Sequence, residues 1–449
     1  MAELSTKAQC FIFIMAYALR AGYVIAQNRY GVVIGDVQGG DAALYLKLAE
    51  SLMAGRGFAT GGGSTAWVMP GYPLFLSACY WLVGWNPERI GLIQSVFSAA
   101  ACLWIGRSAA LLFSARVGWI AGIIGAVYYE LILWTSGQLL TEPLYFFLIA
   151  SALYATVVAF TAASPKPWRF FLAGGLFGLS ALARPLALGL GLGMAGALLA
   201  RSLWATDRRR QWLAVAFAAS CVVVLLPWGI RNSLSMGYFT LVSTEGGHVF
   251  WLGNNPAYDR KDHPDFERFG GYTAMIPPLR EVMGKSEVEA NRIFYKAAMQ
   301  HIASHPGLWV ARAAHKTWNM WRPVFSQSSS RHKLIGWTLY PALLGLSLVG
   351  LCLSWPLRDR VWPLWVFLLL NLLAHSAITG EIRFRVPLWA ALMPFAALSL
   401  SRVVGEILKP SDRGPAGERL PGVPRSAPQA RRRSQWGKRS SGWWGGWIR

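Results

Sequence analysis

The chain has 449 residues, of which 54% are hydrophobic and only 14% charged, with a formal net charge of +22. Soluble domains carry about 25% charged residues, so an ordinary soluble enzyme is excluded and a membrane protein is indicated. The excess Lys and Arg lie in short joints and in the tail from Arg402 to Arg449, which reports cytoplasmic loops and argues against a nucleic-acid partner. The five cysteines (Cys10, Cys79, Cys102, Cys221, Cys352) are odd in number and lack CxxC spacing, so they read as packing residues, neither a disulfide framework nor a zinc site.

Apolar stretches of roughly 17–25 residues suit a hydrocarbon core of ~30 Å. The first, about 10–27, has no small-x-small cleavage site and predicts a retained anchor. A helix is expected to start at Asp41, with Ala42, Tyr45, Leu46, Ala49 and Leu52 at helical spacing and Asp41 as its N-cap. The next stretch, 69–85, is apolar but is not expected to cross. A crossing there would put Arg116, Lys166, Arg169, Arg208, Arg209 and Arg210 outside and invert the positive-inside rule. An interfacial or re-entrant segment keeps every basic joint inside.

Further spans are expected near 89–112, 116–135, 142–162, 170–183, 186–203, 211–229, 334–354, 361–378 and 385–402. Within 231–332, Ser286 and Glu289 form a capping box for a helix ending near His305. A second, amphipathic helix should run from Pro306 to Arg322, stopped by Pro323, with Trp309, Trp318 and Trp321 suited to an interface. The residues after about Lys409 lack hydrophobic periodicity and predict a disordered basic tail near anionic lipid heads.

The expected fold is therefore an all-α membrane protein of about ten transmembrane helices. Juxtamembrane helices occupy the first external loop (28–88), and a large helical external loop covers 231–332. A leader (1–9) and the tail (403–449) flank the membrane domain (10–402), with both termini cytoplasmic at a plasma (inner) membrane. No internal repeat is visible, which weakens a transporter built from inverted halves.

On the outer side of this topology lie Asp36, Asp41, Glu142, Arg184, Arg231, Glu245, Glu381, Arg383 and Arg385. Ionisable groups at span ends are costly in lipid and mark candidate sites, although about half of such a set merely anchors spans. Asp36, in the glycine-rich GDVQGGD, competes with Asp41. The pattern Asp41-x-x-x-Tyr45-x-x-x-Ala49, then Gly55-x-Gly57 and Pro70-Gly71-Tyr72-Pro73, resembles the first external loop of GT-C membrane glycosyltransferases. The likeness is to the branch of protein O-mannosyltransferases and the aminoarabinose transferase acting on lipid A. Thr141-Glu142-Pro143-Leu144, Ala183-Arg184-Pro185, Pro227-Trp228-x-x-Arg231-Asn232, Gly253-Asn254-Asn255-Pro256 and Glu381-x-Arg383-x-Arg385-x-Pro387 agree with it, over roughly residues 10–400. Val68 and Met69 stand before Pro70, where the aminoarabinose-transferase pattern has a Lys or Glu.

The resemblance implies inverting transfer of a sugar, on the outer membrane face, from a polyprenyl-phosphate-linked donor to a glycan, lipid or protein acceptor. It implies that Asp41 deprotonates or orients the acceptor hydroxyl and that Glu142 supports the site. Arg231, Arg383 or Arg385, and Arg184 are the implied holders of the departing phosphate, for which arginine's fork is suited. Tyr45, His248 and Asn254 are the remaining substrate-binding candidates, though a lone His there is more often a surface residue. No cofactor is required; a divalent ion on Asp41, Glu142 and His248 is compatible with the residue types but not demanded by their spacing. Two rival readings are a flippase for a lipid-linked sugar, with Arg20, Arg107 and Glu130 as its intraspan charges, and a scaffold for envelope assembly.

Overall fold

The computed structural model describes residues 3–29, 40–61, 63–162, 164–256, 258, 279–323 and 330–407. Asp36 and the expected tail after residue 407 lie outside the described residues. The chain divides into two units, Met1–Gly405 and Glu406–Arg449, and the description concerns the first.

The elements run α1 (Thr6–Arg29), α2 (Gly40–Met53), a hairpin of β1 (Ala59–Thr60) and β2 (Gly63–Ser64), α3 (Gly71–Val83), α4 (Pro87–Leu112), α5 (Ala115–Val127), α6 (Tyr129–Ser136), α7 (Glu142–Thr161), α8 (Pro167–Ala183), α9 (Leu186–Trp204), α10 (Arg208–Val223) and α11 (Leu226–Met236). Then come α12 (Gly246–Gly253), α13 (Glu287–Ser304), α14 (Pro306–Trp321), α15 (Ser330–Leu353), α16 (Arg358–Ala377), a 3-10 turn at Ile382–Leu388 and α17 (Trp389–Ile407). The fold is all-α, with one two-residue hairpin among the described residues.

Among the described residues, eight helical segments are long and apolar enough to cross a membrane, or nine if the bent pair α5–α6 is one span. The expected single span at 116–135 is broken at Tyr128, where the two halves meet at 58°. Tyr128 is extended (φ −67°, ψ 114°), and the break turns Glu130 inward at the start of α6. The tenth expected crossing is α8, whose 17 residues reach only about 25 Å. It packs closely on α10: a Cβ at Gly174 would meet the Phe217 carbonyl at 2.1 Å, and one at Gly178 the Cys221 carbonyl at 2.6 Å. Small residues that let backbones approach are what drives helix pairing in lipid.

α3 has 13 residues, about 20 Å, too short for a crossing and consistent with the juxtamembrane expectation. Its Pro70-Gly71 entry is pressed against the end of α8, since a Cβ at Gly71 would lie 2.6 Å from the Leu182 carbonyl. The entry to α3 is thereby fixed next to the α8–α9 joint that holds Arg184. α17 is central, with Trp389, Ala391, Met393, Phe395 and Ala397 all at 0% exposure, as befits a helix apolar all round.

The charges inside spans are locked. Arg20 is fully buried, and its five N–H groups donate to Ser98 Oγ, the Ala16, Ala126 and Gly125 carbonyls and Cys102 Sγ, clamping α1 to α4 and α5. Arg107 lies over the Trp104 and Tyr154 rings. The Ser286–Glu289 capping box forms as expected, and α13 ends at Ser304 with His305 as its C-cap.

Candidate active site

Acids and arginines from distant parts of the chain meet at the start of α2. This helix begins at Gly40, so Asp41 lies inside its first turn and is not the N-cap that the sequence suggested. An acid there is favoured by the helix dipole. The Asp41 carboxylate accepts from Arg383 Nη1 at 3.1 Å, across 342 residues of chain. Arg383 Nε donates to Glu381 at 2.9 Å, so one guanidinium joins two carboxylates. It stands just ahead of α17 because Pro387 and the 3-10 turn bring the chain round before the helix starts.

A second pair lies alongside. Arg184, at the α8–α9 joint, donates through Nη2 to Glu142 at 2.5 Å and through Nε to Thr141 Oγ1 at 2.7 Å. Glu142 opens α7 and is buried, whereas Arg184 retains 18% side-chain exposure. The Phe384 ring links the pairs: Arg184 lies 5.6 Å from it, Arg383 5.3 Å, and His375 stacks on it at 4.8 Å. Tyr45, one turn after Asp41, packs edge-on to Tyr72 at 5.2 Å. Burial, then the nearby Asp41, holds its phenol protonated well above the usual range. Arg383 Nη2 and Arg184 Nη1 make no hydrogen bond among the described residues, leaving two guanidinium edges for an anion.

Other candidates sit elsewhere. Arg231, in α11, donates to the Thr65 carbonyl at 2.7 Å and to the Phe58 carbonyl at 2.5 Å. It straps the segment between α2 and α3 to α11 and makes no hydrogen bond or ion pair with the Asp41 cluster among the described residues. Arg385 is 1% exposed; it pairs with Glu130 at 2.7 Å and donates to the Met320, Arg322 and Pro323 carbonyls. Four of its five N–H groups are thus committed inside the protein. Asn254 is buried between the Phe250 and Ala377 carbonyls and accepts from Lys316 Nζ at 2.8 Å. The neighbouring Gly253 is required for that packing, because a Cβ there would meet the Ile378 carbonyl at 1.8 Å. His248 lies between Trp67 (5.6 Å) and Phe294 (5.2 Å). Its Nδ1 has no hydrogen-bond partner among the described residues, and burial holds its pKa below the usual value. Among the described residues no three His, Cys, Asp or Glu side chains are grouped to hold a metal ion. Asp41 and Glu142 are each paired with an arginine.

Two functional features carried no motif. Glu245, at the start of α12, lies within electrostatic reach of Asp41, Arg383 and Arg184. The Glu287 carboxylate gathers Thr65 Oγ1 (2.5 Å), the Ala66 N–H (3.0 Å) and Thr244 Oγ1 (2.8 Å). Backbone bonds from Thr244 and Glu245 to the Ala66 and Trp67 carbonyls complete that clasp between the segment ahead of α3 and the segment around α12. The outward position of Glu245 on the topology was its sole sequence signal.

No protein-family model matches the sequence, and no curated protein does. Solved structures do match in fold. The apo oligosaccharyltransferase of Archaeoglobus fulgidus superposes with a TM-score of 0.55 at 16% identity, over 89% of this chain and 51% of that one. The same enzyme, AglB, with an inhibitory peptide and dolichol-phosphate, gives 0.52 at 15% identity, over 89% and 50%. ArnT from Cupriavidus metallidurans bound to undecaprenyl phosphate gives 0.43 at 14% identity, over 89% and 79%. The chain spans about half the length of the oligosaccharyltransferase structures it matches. This chain is a multi-pass membrane protein that shares its fold with the Archaeoglobus fulgidus oligosaccharyltransferase.

Proposed function

We propose that the protein transfers a sugar from a polyprenyl-phosphate-linked donor to an acceptor hydroxyl at the outer membrane face. The observation that carries this reading is the pairing of Asp41 with Arg383 beside Glu142 and Arg184, at the rim of a fold shared with an enzyme held with dolichol-phosphate. Arg383 and Arg184 each keep one guanidinium edge for the phosphate, whose negative charge grows as the glycosidic C–O bond breaks. Charge-assisted bonds of that kind are about twice as strong as neutral ones and act where charge develops. Asp41, half exposed, orients the acceptor hydroxyl, and Glu142 holds Arg184 in register. Tyr45 borders the same pocket. No step is routed through a metal ion. Arg231 and Arg385 fix the loops instead of the phosphate. The locked charges Arg20 and Glu130 have no freedom for the relay that a flippase would need.

The test is binding of undecaprenyl phosphate to the purified protein. Losing a hydrogen bond to a charged group costs about 1.5–3 kcal/mol, so Arg383→Gln and Arg184→Gln should each weaken binding by about 10-fold or more. Wild-type affinity in both variants would refute the assignment of these arginines to the phosphate.

A further inference from the structure

Among the charged groups at the site, Glu245 differs from its neighbours. Asp41 and Glu381 are both held by Arg383, and Glu142 by Arg184. The Glu245 carboxyl has no ion pair or hydrogen bond among the described residues, although it is mostly enclosed. Its position is nonetheless fixed. Its backbone N–H donates to the Trp67 carbonyl, and the Glu287 clasp holds Thr244 beside it.

Resting on the glycosyl-transfer reading, we propose that Glu245 is the general base: its carboxylate takes the proton of the acceptor hydroxyl, while Asp41 holds Arg383 and orients that hydroxyl. The electron balance is complete with the groups named. The acceptor O–H bond breaks and its proton passes to Glu245. The acceptor oxygen forms a new bond to the anomeric carbon, and the bond from that carbon to the phosphate oxygen breaks. The electron pair leaves with the polyprenyl phosphate, whose charge Arg383 and Arg184 meet.

A carboxylate already paired with arginine is a poor base, because the cation stabilises its charged form. Glu245 has the opposite setting. Burial, then the nearby charge of Asp41, pushes its pKa up to about 7, with Arg383 and Arg184 opposing. A base works best when its pKa lies near the operating pH. The other groups around it are Tyr45 from α2, the Tyr295 hydroxyl from α13 beside Gly246, and His248 on its own helix. The sequence marks Glu245 only by its expected outward position, because no short motif surrounds it.

The experiment measures transfer by the purified protein from a lipid extract of cells lacking it, in which unused donor accumulates, across pH 5–9. In wild type the rate should rise with pH through about 7 as Glu245 loses its proton. Glu245→Gln should lower turnover by roughly 10²–10⁴-fold and abolish that rise, while undecaprenyl phosphate still binds within about twofold. Asp41→Asn leaves Glu245 in place but removes a negative charge that raises its pKa, so the residual activity should show its acidic limb at lower pH. Wild-type turnover in Glu245→Gln, or an unmoved limb in Asp41→Asn, would overturn the proposal and leave the transferase reading standing. A wild-type protein that transfers no sugar from the extract would overturn both.

Discussion

The buried pair Glu130–Arg385 decides whether Arg385 holds substrate or holds the fold. Both side chains are at most 2% exposed, and the Glu130 carboxylate also accepts from Tyr128 Oη at 2.7 Å and Trp389 Nε1 at 3.2 Å. Glu130→Gln preserves shape but leaves the Arg385 cation facing only three carbonyls and the Tyr340 ring at 3.9 Å. Removing one partner of a buried pair costs about 3–5 kcal/mol, because the remaining charge is uncompensated. Arg385→Met should cost as much, from the stranded carboxylate. The double variant Glu130→Gln/Arg385→Met buries no net charge and should be milder than the sum of the singles by about 2 kcal/mol or more. Unfolding in mixed micelles titrated with SDS reads these differences, and undecaprenyl phosphate binding on the folded fraction should stay near wild type throughout. Singles within about 1 kcal/mol of wild type, together with lost phosphate binding, would refute the structural role and return Arg385 to the substrate.

Two further outcomes follow from the packing and the topology. Arg20→Gln strands several of the five acceptors that Arg20 serves, and the same unfolding assay should show a loss of about 2–4 kcal/mol; an unchanged midpoint would contradict the clamp between α1, α4 and α5. With Cys10 and Cys352, the exposed cysteines, replaced, an impermeant thiol reagent on intact spheroplasts should label Ser64→Cys and spare Ser164→Cys. Labelling of Ser164→Cys as well as Ser64→Cys would make α3 a crossing and put Asp41 and Arg383 on opposite faces.

Much of this architecture is legible along the chain because lipid imposes long apolar runs and sorts basic joints to one side. The capping box at Ser286, the end of α14 before Pro323 and the shortness of α3 follow from local chemistry of that kind. The break at Tyr128 does not, since an apolar run reads the same bent or straight. Nor does the division of labour among the arginines. Arg383 and Arg385 are two residues apart in one motif, yet the tight turn before α17 sends one to Asp41 and the other to Glu130. Arg231 has the composition of a phosphate ligand, and only the tertiary path of residues 58–65 reveals that it serves two carbonyls. Glu245 stands out because its carboxyl makes no direct ion pair among the described residues, a property of three dimensions alone.

The central claim is that this site breaks a sugar–phosphate bond, and the direct measurement is product formation by the purified protein. Labelled lipid from cells lacking the protein would be incubated with acceptor membranes, and both the released polyprenyl phosphate and the sugar reaching the acceptor would be quantified per folded protein. The expected result is equal release and transfer by wild type, with Asp41→Asn reduced by roughly 10²-fold through misorientation of the acceptor hydroxyl while its undecaprenyl phosphate binding persists. Passage of intact lipid-linked sugar between leaflets without release of polyprenyl phosphate, or full transfer by Asp41→Asn, would contradict it.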